Sequence, residues 1–238
     1  MLYYQPIVSV KTNKVVGVEA LLRMEHPTHG MRPTSDFIRE AEDTGYILEI
    51  GDWIIETALT QPALAGLEIS INISMSQLLQ PDFVESMLEH VQNSATDACR
   101  TNLEITEHVL MQNNQLSSVI NTMTELKKHG IKFSLDDFGT GYSSLSYLKA
   151  LDVDTIKIDK CFIDIHDDTY SRAIIKCLMT LAADLDYTVV AEGVETKEQL
   201  DFLKEIGCDL YQGFYVAEPM PVNDLVDFLK EHKGYEMT

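Results

Sequence analysis

Short apolar runs recur along the chain at residues 3–8, 15–22, 68–73, 102–106, 131–136, 155–159, 187–192 and 211–216, each of strand length. Between most of them lie stretches with helical periodicity, at 36–45, 50–62, 82–93, 113–129, 143–150, 169–185, 196–206 and 222–232. Pro81 opens the third of these helices, and Gly130 and Gly207 follow the fourth and seventh as stops. Strand alternating with helix implies parallel neighbours, so the pattern predicts an α/β protein, a modified (β/α)8 TIM-like barrel, with an open doubly wound sheet as the alternative. The first two strands break the rule. Only the stretch around Lys11 to Lys14 separates them, which is hairpin length and too short for a crossover helix, so the barrel is expected to start with one antiparallel strand.

Within several strands polar residues alternate with apolar ones. Ile71 and Ile73 flank Asn72, Leu103 and Ile105 flank Glu104, Phe133 and Leu135 alternate with Ser134 and Asp136, Ile156 and Ile158 flank Lys157, and Val189 and Ala191 precede Glu192. A period of two turns the apolar set toward the helices and the polar set toward the barrel axis. The polar residues fall near the C-terminal ends of their strands, where barrel enzymes place their chemistry. With Glu19 on the second strand, several carboxylates then share one mouth. Taken singly, each also fits a half-exposed strand or a helix cap.

Like charges about 4 Å apart repel by roughly 4 kcal/mol at an effective dielectric near 20, so protons or cations must compensate such a cluster. Glu19, Asn72, Glu104 and Asp136 form a hard oxygen set suited to Mg²⁺ or Mn²⁺. Asp136 and Asp137 reach one site only if the chain turns there, and the following Phe138, Gly139, Thr140 and Gly141 supply a flexible turn. Asp136 could then bridge two ions, with Asp137 and Glu192 completing the second, an arrangement that recurs in phosphoryl hydrolysis. Lys157 reads either as a counter-ion among acids or as a lysine whose pKa is lowered by nearby metal charge and partial burial, letting it orient or deprotonate the attacking water. Arg23 shares the phase of Glu19 and suits a phosphate or a surface ion pair. The two glycines of DFGTGYSS fit a phosphate-cradling loop or a mobile, dimer-contacting or metal-ordering one.

Charge sharpens this picture. Among 238 residues, 18 Lys plus Arg stand against 38 Asp plus Glu, a formal net charge of -20 that argues against binding nucleic-acid polymers or anionic membranes through a basic patch. An anionic substrate would need a cation to recruit it. No run approaches the roughly 18 apolar residues of a membrane span, and LYYQPIV after Met1 has no export pattern, so a cytoplasmic chain without membrane contact is expected. Cys99, Cys161, Cys177 and Cys208 form no CxxC pair and read as buried reduced thiols. Trp53, Phe83, Phe202 and Phe228 read as core. No linker interrupts the sequence, so residues 1–238 read as one domain.

From residue 2 to about 230 the chain resembles the EAL domain of bacterial cyclic di-GMP phosphodiesterases. YYQPIV, GVEALLRM, NISMSQL, LEITE, LDDFGTGYSSLSYL, TIKIDKCFI, VVAEGVET and GCDLYQGFYV occur in the family's order and spacing. The resemblance implies hydrolysis of cyclic di-GMP to linear pGpG with two Mg²⁺ or Mn²⁺ ions. It assigns Glu19, Asn72, Glu104 and Asp136 to the first metal and Asp136, Asp137 and Glu192 to the second. Lys157 matches the water-orienting lysine, Glu107 the glutamate tethering the DDFG loop, Glu195 an acid behind the ligands and Gln212 a polar group lining the site. Gln5, Leu22, Arg23 and Asp159 match substrate contacts. A homodimer through the helix after the DDFG loop, about Ser143 to Ala150, is also implied. A catalytically inactive cyclic di-GMP receptor is the alternative.

Three residues depart from the family pattern. Met24 replaces a tryptophan, His108 a serine and Glu218 a lysine, and none of them is a matched metal ligand. The chain starts at the first strand, without a sensory or GGDEF-like segment, and is expected to be a domain excised from a larger signalling protein.

Overall fold

The computed structural model of the protein describes residues 1–26, 28, 30–106, 116–139, 150–164 and 168–231. Its strands are β1 (Leu2–Ser9), β2 (Val15–His26), β3 (Gly30–Pro33), β4 (Glu68–Asn72), β5 (Thr101–Thr106), β6 (Lys132–Phe138), β7 (Thr155–Ile158), β8 (Thr188–Ala191) and β9 (Leu210–Tyr211). They lie in the order β1-β9-β8-β7-β6-β5-β4-β2-β3, and a further β1–β2 pairing closes the ring, leaving β3 outside it. Closure excludes the open sheet. β1 is antiparallel to both β2 and β9, while every other neighbouring pair in the ring is parallel. The short connection at residues 10–14 forces this reversal, as the hairpin length predicts.

Helices α1 (Ser35–Thr44), α2 (Ile47–Leu59), α3 (Met75–Leu78), α4 (Phe83–Gln92), α5 (Leu116–Lys128), α6 (Lys160–Asp164), α7 (Thr169–Asp184), α8 (Lys197–Ile206) and α9 (Val222–Glu231) follow the strands. The strands' apolar phase is buried against them: Ile69, Ile71, Leu103, Ile105, Phe133, Leu135, Ile156, Ile158, Val189 and Ala191 all belong to the core. Each such aliphatic or aromatic side chain contributes about 1.5–3 kcal/mol by leaving water, so a one-residue slip of any strand would be heavily penalised. Register therefore fixes the polar phase toward the axis. Gly207 ends α8 in the left-handed conformation at φ 73°, as its position after the helical run predicts.

Several expectations are corrected. β2 runs on to His26 and pairs with β3, which a segment rich in Pro and Gly hides from periodicity. The last barrel strand covers two residues, not six, because the chain turns at Gly213, where a Cβ would meet the Val194 backbone at 2.2 Å. Phe214 and Tyr215 are consequently exposed. The helices α3 and α6 are too short to show a period. Trp53 is 40% exposed and Phe228 half-buried, whereas Phe83 and Phe202 lie in the core. Cys99, Cys161 and Cys177 are exposed, and only Cys208 is buried, because helix and loop positions turn the first three outward. Among the described residues no helix is long and apolar enough to cross a membrane.

Candidate active site

Strand ends β2, β4, β5, β6, β7 and β8 deliver Glu19, Asn72, Glu104, Asp136, Lys157 and Glu192 to one mouth, with Gln5 from β1 and Gln212 just past β9. Lys157 stands at the centre, its side chain 1% exposed. Its Nζ lies 2.7 Å from Glu104 Oε2, 2.7 Å from Glu192 Oε1, 3.3 Å from Asp136 Oδ1 and 3.4 Å from Glu19 Oε2. Glu19 is gripped from both sides: Asn72 Nδ2 donates to its Oε1 at 2.7 Å, and Gln212 Nε2 donates to its Oε2 at 2.7 Å. The Gln212 amide also donates to Gln5 Oε1 at 2.9 Å, and Gln5 Nε2 donates to the Ala217 carbonyl at 3.1 Å. Gln5, matched to a substrate contact, is thus buried and committed to a relay that orients Glu19.

The turn needed to bring Asp136 and Asp137 together is present. Asp137 has φ 56°, a left-handed conformation for a non-glycine residue, and the β6–β7 register shifts between Leu135 and Phe138. The Asp137 backbone N–H donates to Asp136 Oδ1 at 3.0 Å. One carboxylate oxygen from each of Asp136, Asp137 and Glu192 then lies within 4.8 Å of the others. Gly139 completes the turn at φ 95°, where a Cβ would meet the Phe162 ring at 2.8 Å.

The electrostatics divide the carboxylates. Burial raises the Glu19 pKa, but Lys157 and the hydrogen bonds from Gln212, Asn72 and Lys157 more than offset this and hold it below the ordinary range. For Glu104 burial prevails, aided by Glu19 and Asp136 and opposed by Lys157, and its pKa lies well above the ordinary value. Burial pushes Glu192 up to about 8, against Lys157 and with Asp136 and Glu19. Lys157 is shifted upward when the acids around it carry no metal. Burial lowers it, but Asp136, Glu104, Glu19 and Glu192 overcome that and raise it well above an ordinary lysine. In the metal-free centre it is thus the counter-ion of four acids, with its Nζ placed to donate.

The donor set fits divalent ions. Glu104 Oε1 is buried with no hydrogen-bond partner among the described residues, and such an orphaned oxygen costs about 1–3 kcal/mol or more unless a cation or donor meets it. With Glu19, Asn72 and Asp136 it makes an all-oxygen set of the type Mg²⁺ and Mn²⁺ prefer, and Asp136, Asp137 and Glu192 make a second.

Other matched residues have contacts of their own. Glu195 is exposed and pairs with Lys160, while its backbone N–H donates to Gln199 Oε1 at 2.7 Å. Asp159 Oδ1 accepts from the Cys161 N–H at 2.9 Å and so caps α6. Leu22 is half-buried against the core. Arg23 Nη1 donates to the Leu22 carbonyl at 2.8 Å, and burial lowers its pKa while Glu19 and Tyr3 oppose that, which places it within the electrostatic reach of the cluster. Met24 is half-buried and Glu218 exposed. Glu107, His108 and residues 143–149 of the expected dimer helix lie outside the described residues. Sequence reasoning missed Lys160, whose stem lies over Gly193 so closely that a Cβ there would sit 2.4 Å from Lys160 Cγ. It also missed a hydrogen-bonded tier below the site, although Ser70, Asn102 and Ser134 each precede a candidate ligand by two residues.

Comparison with known proteins agrees with this geometry. The family model of the EAL domain matches residues 1–219. MucR of Pseudomonas aeruginosa, named a bifunctional diguanylate cyclase/cyclic di-GMP phosphodiesterase, is 39% identical over 233 residues, covering 95% of this chain and 34% of that protein. The cyclic di-GMP phosphodiesterase PdeR of Escherichia coli is 36% identical over 242 residues, covering 99% of this chain and 36% of its own length. The chain thus spans about a third of the length of these curated relatives. The solved structure of the Pseudomonas aeruginosa MucR phosphodiesterase in complex with c-di-GMP superposes with a TM-score of 0.88 at 38% identity, covering 94% of this chain and 93% of that one. The protein belongs to the EAL domain family.

Proposed function

We infer that this EAL domain is a divalent-metal-dependent phosphodiesterase that hydrolyses cyclic di-GMP to linear pGpG. The observation that carries the reading is the convergence of Glu19, Asn72, Glu104, Asp136, Asp137 and Glu192 on one barrel mouth around a single buried lysine. Glu19, Asn72, Glu104 and Asp136 would hold one Mg²⁺ or Mn²⁺, and Asp136, Asp137 and Glu192 a second. When bound, such ions neutralise phosphate charge and lower the pKa of a coordinated water.

The chain's own residues do the remaining work. Lys157, protonated and fixed among carboxylates, donates to the attacking water and orients it. Gln212 and Gln5 hold Glu19 in place, and Arg23 offers a guanidinium to the phosphodiester. Leu22 and Asp159 serve as further substrate contacts, Glu107 tethers the DDFG loop and Glu195 acts from behind the ligands through Lys160. Water adds to phosphorus and gives up one proton, one ester P–O bond breaks, and the departing ribose oxygen takes up one proton, leaving a linear dinucleotide with a terminal phosphate and no net change in protons beyond those of the water consumed. A cytoplasmic location and a homodimer through residues 143–150 belong to the same reading.

Incubation with cyclic di-GMP, with and without Mg²⁺, followed by chromatography tests it. Metal-dependent pGpG is expected. Tight binding with no product under both conditions would make the protein a receptor instead.

A further inference from the structure

Barrels of this architecture ordinarily fill the axis with packed layers of side chains. Here the end opposite the carboxylates is hollow. A cavity of about 630 Å³ enters from that end, and its walls include Glu68, Ser70, Asn102, Lys132, Ser134 and Glu104. Glu68 and Lys132 pair at its edge at 2.6 Å. Backbone pairing fixes the distance between neighbouring strands here, so what a missing apolar layer leaves open is the support of the inward side chains above it.

The Asn102 side chain supplies that support. Nδ2 lies 2.8 Å from Ser70 Oγ on β4 and 2.7 Å from Ser134 Oγ on β6, and Ser134 Oγ also donates to Asn102 Oδ1 at 3.0 Å. All three residues are buried. Each precedes a candidate ligand by two positions on its own strand: Ser70 precedes Asn72, Asn102 precedes Glu104, and Ser134 precedes Asp136. Because strand side chains repeat every two residues, the bridge sits one tier below the ligands in the same phase. In register Ser70 also stands beside Glu19, and Ser134 beside Glu104.

We propose that the Ser70–Asn102–Ser134 bridge is a positioning tier that braces the inward side chains of Asn72, Glu104 and Asp136 from below and thereby tunes the affinity of the centre for divalent ions. The inference rests on the metal-centre reading above and adds to it residues that touch neither metal nor substrate. Its energetics are distinct from those of an ordinary core. Removing one member of the bridge leaves buried polar atoms unsatisfied, whereas replacing all three with apolar groups of similar shape is nearly neutral for folding.

The test is a calorimetric titration of Mn²⁺, and separately Mg²⁺, into the metal-free protein without substrate, with thermal melting alongside. The triple variant Ser70→Ala/Asn102→Leu/Ser134→Ala is expected to melt near the wild type yet bind Mn²⁺ at least about tenfold more weakly, as disturbed outer supports of metal ligands typically do. Should it fail to fold, Ser70→Ala/Ser134→Ala is expected to weaken Mn²⁺ binding in the same direction. A folded bridge variant that binds both ions as the wild type does would overturn the inference and leave the metal centre standing. A wild-type protein that binds neither ion would overturn the metal centre itself, and the tier's role with it.

Discussion

Lys157 Nζ donates to Glu104 Oε2 at 2.7 Å with both side chains 1% exposed, so the most buried cation and the most buried acid of the site hold each other. This pair governs the metal-free protein. Truncating the lysine leaves Glu19, Glu104, Asp136 and Glu192 without their shared counter-charge, and breaking a buried ion pair in this way costs about 3–5 kcal/mol. Lys157→Met is therefore expected to lower the melting temperature sharply without metal and to regain much of the loss in Mg²⁺, which differential scanning calorimetry reads. Turnover should fall in either condition, since no donor then orients the water.

Glu104→Gln separates stability from binding. Lys157 Nζ keeps Glu19, Asp136 and Glu192 when Glu104 loses its charge, so Glu104→Gln should cost less metal-free stability than Lys157→Met, which strips all four acids of their cation. Divalent-ion affinity should nevertheless drop at least about tenfold, because a charged oxygen ligand has been removed. Equal affinities in the two proteins would remove Glu104 from the ligand set.

The pH dependence of the metal-free protein follows from the same two acids. Glu104 and Glu192 have folded-state pKa values above those of the unfolded chain, Glu192 at about 8, so their contribution to stability is complete below the unfolded value and is lost as pH rises through the folded one. Metal-free melting temperature is expected to decline between about pH 6 and pH 9, with the decline suppressed by saturating Mn²⁺. A melting temperature that rises across this interval would contradict the assignment.

Gly193→Ala probes the loop behind the ligands. A Cβ there would lie 2.4–2.5 Å from the Lys160 stem, and φ 65° adds backbone strain of about 1–2 kcal/mol. Displacing Lys160 should disturb Glu192, one residue earlier. The expected outcome is a modest loss of stability with a larger loss in kcat than in substrate KM.

How far the sequence revealed the site depends on what each residue needed. Asn72, Glu104, Asp136 and Lys157 were legible because they sit in regular strands, where alternation alone fixes direction. Asp137 was legible only as a condition, since its approach to Asp136 requires a left-handed backbone that periodicity does not encode. The Lys157 pKa followed from neighbours on four other strands, a property of the closed ring and not of any segment. β3 and the shortened β9 escaped because backbone pairing and a close approach at Gly213 decide them. The lower tier was visible in phase but not in role, because the hollow beneath it appears only once the barrel closes.

The account's central claim is tested most directly by an anomalous difference map from crystals soaked in Mn²⁺. Two peaks are predicted, one bounded by Glu19, Asn72, Glu104 and Asp136 and the other by Asp136, Asp137 and Glu192. A map without peaks there, with the carboxylates still closed around Lys157 in excess Mn²⁺, would contradict it.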